Sequence, residues 1–143
     1  MKTRLFFIVY TVADLGLILY GTTLLIQPGL LLEPIRSHTG ELTQAAGGVA
    51  GYLLALSRLV GYFNILPGVI GLLLLWYLRT SREKRILRIA IVTTFLAYLG
   101  PIIFDNTVGS IGFFEILEHI LFGLVILLGI LMWRGWEAKD VIR

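Results

Sequence analysis

Four long apolar runs, nearly free of charge, leave this chain few folds to adopt. They cover roughly residues 5–27, 50–78, 86–104 and 111–133. A helix rises about 1.5 Å per residue, so each run can cross a hydrocarbon layer about 30 Å thick. Inside a bilayer every backbone N–H and C=O must find a partner within the protein, which admits helices or a closed barrel. The unbroken Leu and Ile runs lack the alternation of barrel strands. The expectation is an all-α integral membrane protein, a single domain over residues 1–143 built as a four-transmembrane-helix bundle. Composition agrees, because 57% of the 143 residues are apolar and 15% are charged, with mean hydropathy +0.89. A soluble domain carries about 25% charged residues, and a disordered chain is poorer still in apolar ones.

The basic residues give the bundle a direction. Lys2 and Arg4 precede the first run, Arg79, Arg82, Lys84, Arg85 and Arg88 lie around the junction of the second and third, and Arg134, Lys139 and Arg143 follow the fourth. With four crossings, ten of the 12 Lys and Arg residues fall on one side and only Arg36 and Arg58 toward the other. By the positive-inside rule both termini are expected in the cytoplasm. Trp76, Tyr77, Trp133 and Trp136 fall where an inner aromatic belt belongs. The sequence pI near 9.5 therefore reads as an orientation signal, and no nucleic-acid partner is expected. The first run is too long for a signal peptide and holds Asp14, so it is expected to stay as a helix. That retained helix and the compact loops point to the inner (plasma) membrane of a prokaryotic cell.

Two local features shape the expected bundle. Pro67 deprives the carbonyl of Phe63 of its helical partner, which predicts a kink in the second helix near Pro67. Residues 28–44 contain Pro28, Gly29, Pro34 and Gly40 and read as an outer loop, with Leu30–Leu32 dipping into the interface as a lid.

Without cysteine, the chain has no disulfide framework, thiolate nucleophile or Cys-ligated metal. Its two histidines, His38 and His119, make imidazole metal sites unpromising, and no phosphate-cradling glycine loop is present. No cofactor is expected.

Polar residues inside the runs are then the candidates for chemistry, since a charge at the bilayer centre costs about 2.5–3.5 kcal/mol. Asp14 lies near the midplane. Arg58, Asn64, Glu115, Glu118 and His119 fall in the outer half, with Asp105 and Asn106 at the outer end of the third helix. At 100° per residue, Gly47, Gly51, Ala55, Arg58 and Tyr62 share one stripe, which is expected to pack and to turn Arg58 inward. Glu115, Glu118, His119, Phe122 and Ile126 form a second face, and Tyr10, Asp14 and Gly21 a third. Three such faces predict a polar pocket opening away from the cytoplasm. Asn64 is also placed to satisfy the carbonyl that Pro67 orphans.

Three functions fit such a pocket. The leading one is binding, without turnover, of a lipophilic molecule or a partner membrane protein, with Asp14, Arg58, Asn64, Tyr62, Tyr10 and Asp105 as the contacting residues. A homo-oligomer is compatible with the Gly-rich faces. The second is acid/base catalysis on a lipid or isoprenoid, with Glu118 and His119 carrying protons and Glu115 orienting. The third is proton-coupled transport, with Asp14 and Glu118 as the titrating pair.

Overall fold

The computed structural model of the chain describes residues 2–31, 47–108 and 113–140. Among them are four α-helices: α1 (Lys2–Ile26), α2 (Gly47–Ser81), α3 (Lys84–Val108) and α4 (Phe113–Asp140). A short 3-10 turn, Pro28–Leu31, follows α1. Each of the four helices holds a segment long and apolar enough to cross a membrane: Thr3–Ile26, Gly51–Ser81, Lys84–Ile103 and Ile116–Gly135. Together they point to an integral membrane protein. Arg36, His38 and the rest of the expected outer loop beyond residue 31 lie outside the described residues.

The helices run past the apolar stretches that announce them. α2 covers 35 residues and stays helical through Pro67, and α4 continues beyond Trp133 to Asp140. Helical hydrogen bonding does not need apolar side chains, so charged flanks extend each helix until a breaker intervenes. Between α2 and α3 the breaker is Arg82, a non-glycine residue with φ 52°. Its N–H bonds the Leu78 carbonyl at 3.0 Å, a left-handed cap that ends α2.

Contacts set the arrangement. Gly21 meets Gly61, and Asp14 meets Gly68 and Gly71, so α1 and α2 run antiparallel. Tyr10 reaches Val125, Tyr98 reaches Ala13, and Phe95 stacks on Phe122. The result is an up-down-up-down bundle in which α1 packs chiefly on α2, and α4 closes against α1 and α3.

The core follows from helical spacing. In α1 the buried residues are Phe6, Tyr10, Ala13, Asp14, Leu17, Gly21 and Leu24. In α2 they are Ser57, Gly61, Asn64, Gly68, Gly71, Leu75 and Leu78, with steps of three and four residues throughout. That second stripe corrects the sequence expectation. Arg58, Ala55, Gly51 and Tyr62 are exposed, and no atom stands within 4 Å of a Cβ built on Gly51. The phase is off by one residue, about 100° around the helix. Close approach to α1 decides it. A Cβ on Gly61 would stand 2.6 Å from the Gly21 carbonyl oxygen, and one on Gly68 2.7 Å from that of Asp14. Only glycine allows those backbones to meet, and turning those positions inward turns Arg58 out.

Candidate functional site: a buried acid and a histidine at the helix seam

The buried polar residues begin at Asp14. Its side chain is fully buried between α1, α2 and α3, facing Gly71, where any Cβ would collide with the carboxyl group. Glycine at that position makes the room the carboxyl occupies. From α3 the Thr94 hydroxyl stands 3.5 Å from Asp14 Oδ1, yet it also lies 3.0 Å from the Ala90 carbonyl. One hydroxyl proton cannot serve both acceptors, and the shorter contact takes it. Among the described residues, Asp14 Oδ2 has no hydrogen-bond partner. Buried polar atoms are nearly always paired, so this carboxyl is an exception that calls for a role.

Two tyrosines flank it. The Tyr10 hydroxyl donates to the Val125 carbonyl at 2.9 Å, and the Tyr98 hydroxyl donates to the Ala13 carbonyl at 2.9 Å. Both are buried, so each ties its helix to a neighbour by a bond that water does not contest. The Tyr98 ring also stacks on Phe122, with centroids 6.2 Å apart. Tyr98 therefore ties α3 to both α1 and α4.

Glu118 and His119 are half-buried along the α3–α4 seam. His119 Nε2 is 3.1 Å from Asn106 Nδ2, and the same amide nitrogen donates to the Ile102 carbonyl at 2.7 Å. With the amide nitrogen donating in that second bond, Nε2 of the imidazole stands where an acceptor is wanted. Asn106, Ile116, His119 and Ile120 line a shallow depression in the surface. An imidazole and an amide between two isoleucines make a place that is apolar in area and polar at one point.

The structure thus brings Asp14 to Thr94 and, separately, His119 to Asn106, and it leaves other expected members apart. Tyr10 lies beside Asp14, on the same face of α1. Arg58 and Tyr62 sit on the exposed side of α2, so the arginine does not turn inward. Asn64 is buried, but its Nδ2 donates to the Val60 carbonyl at 2.9 Å, not to the one that Pro67 orphans. The amide reaches back one turn along its own helix, as short polar side chains do in apolar surroundings. The side chains of Glu115 and Asp105 lie outside the described residues.

Sequence reasoning passed over Thr94, Tyr98 and Ser57. The α3 spacing Leu87, Ala90, Thr94, Tyr98 carries the signal for the first two, since a hydroxyl and a phenol recur there on one small-residue stripe. Ser57 is fully buried, with no partner for its Oγ among the described residues, and it becomes legible only once the phase of α2 is known. Among the described residues no group of three or more His, Cys, Asp or Glu could hold a metal ion. Comparison of the chain with protein-family models, curated proteins and solved structures gives no significant match.

Proposed function

We propose that the bundle lies in the inner (plasma) membrane with both termini in the cytoplasm, and that the α3–α4 depression binds a lipophilic molecule through one hydrogen-bonding group. One observation carries this reading: the His119–Asn106 pair, 3.1 Å apart, lies in a depression otherwise lined by Ile116 and Ile120. A hydrocarbon body suits the isoleucines, and a hydroxyl, carbonyl or amine head suits the imidazole and amide. Such a division between apolar area and a few oriented polar groups is the usual make-up of a ligand site. The charge partition supports an outer-leaflet position for this depression.

The test is the content of the purified protein. Native mass spectrometry of wild-type protein should show a retained small molecule that His119→Leu and Asn106→Leu release, with helical circular dichroism unchanged. Identical contents in wild type and both variants would remove the proposal.

A second reading, proton-coupled transport, is favoured by the unpartnered Asp14 carboxyl oxygen. Proton entry into proteoliposomes, reported by entrapped pyranine, should then fall to the protein-free rate in Asp14→Asn. Equal entry in the variant excludes it.

A further inference from the structure

The opposite end of the α3–α4 seam carries a second chemistry, independent of the depression. Arg88 lays its guanidinium over the Trp133 ring at 4.2 Å, and the Lys84 ammonium lies 5.9 Å from the same ring. Arg85 on α3 and Arg134 on α4, each next in sequence to a member of this pair of contacts, are exposed. Two cations thus stand over one indole. Glu83, between α2 and α3, accepts a 3.4 Å hydrogen bond from the Tyr77 hydroxyl. Stacking uses the flat face of a guanidinium and directs its N–H groups outward in the ring plane, the orientation that grips a phosphate.

What continues from this patch decides the kind of anion. Arg85, Ile89, Val92 and Leu96 recur at steps of four, three and four, which makes them one stripe of α3. All four are exposed, Ile89 by 49%, Val92 by 54% and Leu96 by 59%. Read along the helix, the stripe starts with positive charge and goes on as branched hydrocarbon. An amphiphile aligned with α3 matches it end to end: phosphate at Arg85 and Arg88, acyl chain over Ile89, Val92 and Leu96. A soluble phosphate or an acidic peptide would use only the first turn.

We propose that this stripe and the Arg88–Trp133 stack form a binding site for one anionic phospholipid. The indole fixes the arginine in advance, so little side-chain freedom is lost when the headgroup docks.

Trp133 also provides the probe. The chain has three tryptophans, and Trp76→Phe with Trp136→Phe leaves Trp133 as the sole emitter in the full-length protein. In phosphatidylcholine bilayers, phosphatidylglycerol with brominated acyl chains should quench Trp133 more strongly than brominated phosphatidylcholine at the same mole fraction. Each charge removed, by Arg85→Gln or Arg88→Gln, should weaken that preference about fivefold. Arg85→Gln alters an exposed residue outside the stack, so its result stands even where Arg88→Gln disturbs folding. Equal quenching by the two lipids overturns the proposal, as does an undiminished preference in Arg85→Gln. Inorganic phosphate at matched ionic strength should leave the quenching unchanged. Competition by it would assign the cations to soluble phosphate and overturn the lipid.

Discussion

Asp14 shows how one side chain can be constrained from several sides at once. It fills the space that Gly71 vacates, and it has a single long contact, 3.5 Å from the Thr94 hydroxyl. Gly71→Ala should therefore destabilise the bundle by about 1–3 kcal/mol, the usual cost of overpacking a filled interior. Gly123→Ala is the control: nothing lies within 4 Å of a Cβ there, and alanine's better helix propensity should leave stability equal or slightly higher. Both are read by reversible unfolding in mixed micelles, and equal stability of the two variants would show that α1 and α2 separate freely at Asp14. Asp14→Asn probes the carboxyl itself. The neutral amide removes the cost of holding a charge in a buried site, so stability should hold or rise by about 1 kcal/mol. A loss above about 2 kcal/mol would instead reveal a carboxylate that the bundle depends on.

Helices and turns add their own constraints. At the α2–α3 junction Arg82 adopts φ 52°, a conformation that costs an L-residue about 1–2 kcal/mol and glycine nearly nothing. Arg82→Gly should raise unfolding stability by about 1 kcal/mol, since the exposed side chain gives up little packing; a decrease would mean that the arginine makes contacts worth more than its strain. Element existence was readable from hydropathy, because a bilayer-length run has few alternatives in lipid. Element phase was only partly readable. In α1 the apolar and polar buried positions share one stripe, so Tyr10, Asp14 and Gly21 point where periodicity puts them. In α2 glycine occurs at positions 47, 48, 51, 61, 68 and 71, and periodicity alone cannot tell which glycines meet a neighbour. The true contact, Gly61 and Gly68 against α1, is a property of two helices together. That is why Arg58 was misplaced by one residue, and Asn64 was matched to the wrong carbonyl. The bond from Tyr98 to the Ala13 carbonyl was missed for the same reason, as it spans helices that no single-helix pattern relates.

At the scale of the whole bundle, the two ends of the α3–α4 seam differ in chemistry. One end presents Arg88 and Lys84 over Trp133, and the other presents Asn106 and His119 between isoleucines. Their assignment to leaflets depends on which side the termini occupy, and electrostatics at insertion favours the side with ten of the 12 basic residues. The chain has no cysteine, so a single introduced thiol reports sidedness without background. Gln27, just past α1, and Thr80, in the last turn of α2, are both exposed and lie at opposite ends of the bundle. In intact cells a membrane-impermeant maleimide should label Gln27→Cys and spare Thr80→Cys, with the second labelled only after permeabilisation. The reverse pattern would move the His119 depression to the cytoplasmic leaflet, where a ligand arriving from outside would first have to cross the bilayer. Labelling of both in intact cells would mean dual insertion, which a ten-to-two partition disfavours strongly. Because each thiol sits outside the buried stripes, neither result depends on the packing that the glycine variants perturb, so topology and seam chemistry are tested separately.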